Sequence, residues 1–140
     1  MLSFEDDAVQ ALWGKEWQMP SIMQLSELMN ADNCTWKWTS HSGVMGYDVV
    51  SRRNGNRLFL PASGYREGGE LKKTSFGYYW SNSLNWSFSN QADYLFIKDP
   101  NSGMFDNVRT YAGYRFYGQN IRPVRVNGKY KDHDYFKPYK

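Results

Sequence analysis

Between Gly77 and Val124, from GYYWSNS to GQNIRPV, about half of the chain's aromatic side chains fall within about a third of its length. They are interleaved with Asn, Ser, Asp, Gly and Arg rather than with Leu, Ile and Val, which makes the stretch poor material for a core and good material for a contact surface. Tyr and Trp supply large rigid contact area at small entropic cost, while Ser, Asn and Gly adapt their hydrogen bonds, the composition of an antibody-like binding surface. The upstream residues are therefore expected to form a scaffold that holds this stretch, and the chain reads as a binding module rather than an enzyme.

The 140 residues suffice for one domain with a single core, placed at residues 1–126 with a C-terminal tail at 127–140. An apolar content of 41% against 22% charged residues is that of an ordinary soluble fold. The mean hydropathy of -0.74 reflects many Tyr, Asn, Ser and Gly residues rather than disorder. A formal charge of +3 is small and its Lys and Arg residues are scattered, which argues against nucleic acid as a partner. Cys34 is the one cysteine, so no intrachain disulfide forms and a buried small hydrophobe is its expected role. No apolar run approaches the roughly 20 residues of a membrane span. The start, MLSFEDDAVQ, is acidic and lacks the basic and apolar segments of a secretory signal, so export would use another route or information outside this chain.

Local patterns predict a small number of elements. Ser3 with Asp6, followed by Phe4, Ala8, Ala11 and Leu12 at helical spacing, predicts a helix from about Phe4 to Trp13, stopped by Gly14. Ser21 with Gln24 forms a second capping box ahead of Ile22, Leu25, Leu28 and Met29, predicting a helix from about Ser21 to Asn30. Trp36 and Trp38 share a strand face and read as core rather than ligand-stacking residues. Asn54-Gly55, between strands at Tyr47–Arg53 and Asn56–Leu60, predicts a hairpin with a tight primed turn. Pro61, Gly64, Gly68 and Gly69 mark a loop crossing. Further strands are expected at Gly77–Ser83, Asp93–Lys98, Arg109–Tyr117 with a break, and Ile121–Val126, separated by the polar, turn-forming segments LNWSFSNQ and DPNSGMFDN.

Five blocks in order, EDDAVQALWGKEWQMPS, ELMNADNCTWKWTSHSGVMGYDV, NGNRLFLPASGYR, GYYWSNSL and YGQNIRPV, carry a family resemblance. The chain resembles the bacterial surface major paralogous domain family and the related variable proteins of diversity-generating retroelements, over roughly nine tenths of its length. The resemblance implies an α+β class with the C-type lectin fold: two short helices packed on twisted antiparallel sheets, with a long loop-rich ligand-display region. It assigns scaffold roles to residues such as Trp13, Trp36, Trp38, Tyr47, Tyr65, Tyr79, Trp80, Gly118 and Pro123. It places diversified ligand-facing positions between the YWSNS and GQNIRPV motifs, within residues 82–117. Here these are Asn85, Trp86, Phe88, Asn90, Asp93, Tyr94, Phe105, Asp106, Asn107, Arg109, Tyr111, Tyr114 and Arg115. The implied setting is a phage particle or a bacterial cell surface, and the implied partner is a protein or glycan ligand on a cell surface.

The resemblance also frames what departs from it. Family members carry a segment before the block that here reads EDDA, supplying an early strand beside the terminal one. Its absence from this chain would leave a strand edge uncovered, so Ile121–Val126 or the tail is expected to pair with a second copy. The stretch from Lys98 to Tyr114 is also longer than in the family, which implies an enlarged loop. A catalytic reading lacks a constellation: His41 and His133 are the only histidines, with no nucleophile at a recognisable spacing. Formylglycine-generating enzymes share the fold, but they would require a cysteine pair that this chain does not contain. No cofactor is expected. Asp99, Asn101, Asp106 and Asn107 offer the hard oxygen ligands that calcium takes, yet sugar-binding EPN-like or WND-like motifs are missing and such segments are more often simple turns. A carbohydrate-binding domain, with Trp and Tyr faces stacked on sugar rings, is the alternative to a protein-binding one.

Overall fold

Two short helices lead into four small antiparallel sheets. The computed structural model describes residues 7–14, 16–84, 87–88, 90–103 and 106–125. Helix α1 (Ala8–Trp13) is capped by Asp7, whose carboxylate accepts the Val9 amide at 2.9 Å and the Gln10 amide at 3.2 Å. The expected cap at Ser3 with Asp6 and start at Phe4 lie outside the described residues, as does the tail. Strand β1 (Trp17–Gln18) precedes helix α2 (Ile22–Met29), where the expected capping box is present in full. The Gln24 amide donates to Ser21 Oγ at 3.1 Å and the Ser21 amide to Gln24 Oε1 at 2.9 Å.

Strands β2 (Cys34–His41), β3 (Val44–Ser51) and β4 (Arg57–Pro61) form one sheet in that order. Trp36 and Trp38 pack edge-on against Tyr47, at 5.5 and 5.0 Å between centroids, on the core side. The β3–β4 hairpin is present, but its turn is wider than a two-residue primed turn. Asn54 Oδ1 accepts the Asn56 amide at 2.9 Å, and Gly55 rather than Asn54 adopts positive φ, at 72°. The primed geometry occurs instead in the segment read as a loop crossing. There, β5 (Tyr65–Glu67) pairs with β6 (Glu70–Lys72) around Gly68 and Gly69, both with positive φ, at 57° and 86°.

Strands β7 (Phe76–Leu84), β8 (Gln91–Lys98) and β9 (Val108–Tyr114) form a second three-stranded sheet with β8 in the centre. β10 (Val124–Arg125) closes against β1. The main core lies between the two large sheets and α2, where Leu25, Cys34, Tyr47, Val49, Leu60, Tyr79, Leu95 and Ile97 are buried together. A smaller cluster of Val9, Met19, Trp80 and Ala92 lies beside it.

The expected class, an α+β arrangement of the C-type lectin type with a loop-rich display region, gives way to a mostly-β one. Of the described residues 51% are in strands and 12% in helices. Helix α2 has its expected stripe, with Leu25 buried and Ile22, Leu28 and Met29 half-buried, but α1 buries Val9 and Gln10 and leaves the expected Ala8, Ala11 and Leu12 exposed, and the two helices span only six and eight residues. The difference lies in segments whose Gly, Asn and Ser content reads as loop: residues 65–72 form a hairpin, and much of the display stretch is sheet.

Candidate functional site

The period-two alternation of a strand divides the β7–β9 sheet into two faces. Gly77, Tyr79, Leu95 and Ile97 point to the core, and Leu95 and Ile97 have no exposed surface. Phe76, Tyr78, Tyr94, Phe96, Arg109 and Tyr111 stand on the other face and touch one another across all three strands. Phe96 meets Phe76, Tyr78 and Tyr111 at 5.5, 5.4 and 5.7 Å between centroids. Tyr94 meets Tyr78 and Tyr111 at 5.9 and 6.1 Å. The Arg109 guanidinium lies 4.9 Å from the centroid of the Tyr111 ring, a cation stacked on the outer end of the array. Each ring is half-buried by its neighbours, so the face is packed without being sealed.

Where β9 ends, the rings enclose a cavity of about 190 Å³ lined by Tyr65, Tyr78, Tyr94, Gly113, Tyr117 and Gln119. Tyr65 contacts Tyr78 at 5.0 Å and Tyr117 at 5.2 Å, so β5 and the 115–120 segment supply walls that the three-stranded sheet does not. Paired hydrogen bonds between Arg66 and Gly118, each 2.6 Å, bring these two segments together. Gly113 is part of the lining, and a methyl group added there would approach Tyr94 Cε1 to 2.8 Å. Burial first, and then the neighbouring phenols, pushes the Tyr78 and Tyr94 hydroxyls above the usual tyrosine value. Both remain neutral around pH 7. Gln119 Oε1 is buried with no hydrogen-bond partner among the described residues.

The sequence-predicted site residues divide between this face, its rim and the interior. Tyr94, Arg109 and Tyr111 are part of the array. Tyr114 and Phe88 are exposed at the end of the sheet, 42% and 58%, and Tyr114 stacks on the exposed Phe116 at 5.4 Å with an interplanar angle of 9°. Asn90 and Arg115 join that end through a backbone hydrogen bond of 2.9 Å, and the Asp93 carbonyl accepts Ser81 Oγ. Asp106 forms an exposed ion pair with Arg109 at 3.8 Å. Asn107 does structural work, since its Oδ1 accepts from the Lys98 ammonium at 3.0 Å. Asn85, Trp86 and Phe105 lie outside the described residues.

The oxygen-rich loop considered for calcium is arranged around that lysine. Lys98 is 2% exposed, and its Nζ donates to the Ser102 carbonyl at 2.6 Å as well as to Asn107. Asp99 Oδ1 accepts the Asn101 amide at 2.8 Å, closing a local turn. Among the described residues no group of three or more His, Cys, Asp or Glu side chains converges. On the opposite sheet, His41 contacts Asp48 at 2.8 Å and Phe59 at 4.4 Å, away from the array.

Tyr65, Phe76, Tyr78, Phe96, Gly113, Tyr117 and Gln119 were not among the predicted contacts. Strand parity would have found Tyr78 and Phe96, which share a face with Tyr94 once the register is known. No local signal marks Tyr65, which reaches the site through long-range pairing. Comparisons of the chain with protein-family models, with characterised proteins and with solved structures returned no match.

Proposed function

We propose that the protein is a ligand-binding display module whose contact surface is the outer face of β7–β9, continued by Tyr114 and Phe116 at its end. The observation that supports this reading best is the unbroken ring array from Phe76 to Tyr111, half-exposed on the sheet face opposite the main core and seated at Tyr94 on the smaller cluster. Rigid aromatics lose little entropy on binding and serve as anchors, while surrounding polar groups complete the contact. The preferred partner is a protein, such as a cell-surface receptor. The resemblance to retroelement variable proteins adds the phage or bacterial surface as the setting.

The test is a panel of purified bacterial surface proteins alongside a glycan array, probed with the wild-type domain and with Tyr111→Ala. A protein partner should be found, and Tyr111→Ala should weaken its binding by on the order of 2 kcal/mol with a nearly unchanged melting temperature. If Tyr111→Ala lowers the melting temperature as much as Trp80→Ala does, the division into scaffold and contact surface fails. The parallel, exposed Tyr114 and Phe116 rings favour a second reading, stacking on the apolar face of a sugar. Binding confined to the glycan array would support that reading instead.

A further inference from the structure

We propose that the cavity between Tyr65, Tyr78, Tyr94 and Tyr117 is an anchor site for a cation, the ammonium or guanidinium end of a lysine or arginine side chain of a protein partner. The proposal rests on the display reading and specifies the chemistry of its deepest contact. Size is the first argument. At about 190 Å³ the cavity is smaller than the roughly 300–1,000 Å³ typical of sites for whole small molecules, and so fits the end of one side chain better than a sugar or cofactor.

The lining then selects the kind of group. Four tyrosine rings line the cavity, and among the described residues no Lys, Arg, Asp or Glu side chain joins them. Gln119 also lines the cavity, and its buried Oε1 has no hydrogen-bond partner among the described residues, where a buried acceptor left unsatisfied is costly. The phenol oxygens of Tyr65, Tyr78, Tyr94 and Tyr117 can each accept a hydrogen bond. An ammonium or guanidinium brings only donors, which this set of acceptors can satisfy, and its charge is attracted to the ring faces. An anion would meet the negative faces of the rings. An apolar side chain would leave the Gln119 carbonyl unpaired. The protein already uses the same chemistry on the neighbouring ring, where Arg109 lies over Tyr111. Gly113 keeps the cavity open, because a side chain at that position would displace Tyr94.

The inference is tested by nuclear magnetic resonance titration of the full chain with tyrosine rings isotopically labelled. The probes are N-acetyl-lysine methylamide and N-acetyl-arginine methylamide, with the norleucine and citrulline analogues as neutral isosteres and methyl glucoside as a sugar. Saturable shifts of the Tyr65, Tyr78, Tyr94 and Tyr117 rings are expected with the cationic probes, at least about tenfold tighter than with the neutral ones. Gly113→Ala and, independently, Gln119→Met should each weaken the cationic probes several-fold in protein whose amide spectrum shows an intact fold. Equal binding of a cation and its isostere, tighter binding of the glucoside, or cationic shifts that do not saturate would overturn the proposal. With a partner in hand, binding that requires Tyr111 but ignores Gln119→Met would overturn the cation site while leaving the display reading standing. Loss of the Tyr111 requirement would remove the display reading itself.

Discussion

Asp7 shows how much one side chain can hold together. It is fully buried, and beyond capping α1 its Oδ2 accepts the Met19 amide, twelve residues away, at 3.0 Å. Asp7→Ala removes the helix cap and strands the Met19 amide, so a loss of about 2–4 kcal/mol is expected, measurable as a lower midpoint in urea. The Ser21 box was legible because it is local; the reach of Asp7 to Met19 was not, because nothing in the chain pairs positions so far apart. Tyr47 supports a second prediction at this scale. Its hydroxyl donates to the Lys98 carbonyl at 2.9 Å, and burial first, then the Asp99 charge, pushes it up to about 12. A phenol whose pKa is raised in the folded state binds its proton more tightly there than in the unfolded chain. Its contribution is complete below the ordinary tyrosine value near 10 and is lost as pH rises toward 12. Stability in urea should therefore be flat from neutral pH to about 9 and fall between about 10 and 12, with phenolate absorbance rising in step; a fall already complete by pH 9 would contradict this assignment.

Among the elements, the loop between β8 and β9 depends on an internal cation, since the Lys98 ammonium ties Ser102 and Asn107 to the end of the central strand. Lys98→Met keeps the length of the side chain and removes the donors. Faster hydrogen exchange is expected at the Ser102 amide, which donates to the Asp99 carbonyl at 3.0 Å, while Leu95 and Ile97 in the strand keep their protection. Uniform loss of protection would mean that the lysine supports the whole sheet instead. The elements also show which turn signals can be read locally. Asn54-Gly55 marked a real hairpin with the wrong turn, because the Asn54 side chain could accept the Asn56 amide and stabilise a wider loop. Gly68-Gly69 made the primed turn, yet with three-residue strands on either side it carried too little alternation to stand out from a loop.

For the whole molecule, the division of labour sketched from composition survives in altered form. The aromatic stretch supplies one face to the core, through Tyr79, Trp80, Leu95 and Ile97, and one face away from the main core, within which Tyr94, Arg109 and Tyr111 were identifiable. Its exposed face is built on strands rather than loops, and the cavity walls come partly from upstream of it. Long-range pairing decides this, as Gly64 bridges to Gly77 and Arg66 to Gly118, and a single sequence does not disclose such partners. Tyr79 and Trp80 went inward as expected: Trp80 is 9% exposed and donates its indole N–H to the Tyr117 carbonyl at 3.3 Å. Trp80→Ala should cost about 3–5 kcal/mol, seen as a much lower thermal midpoint, through the cavity it leaves between the smaller cluster and the sheet. The β5–β6 hairpin has a different kind of consequence. It lends Tyr65 to the site while its own turn at Gly68-Gly69 lies out in solvent. Insertions at that turn would leave the three-stranded sheet untouched, so this hairpin is the part of the architecture most open to redesign, a module whose length can be changed without rebuilding the scaffold.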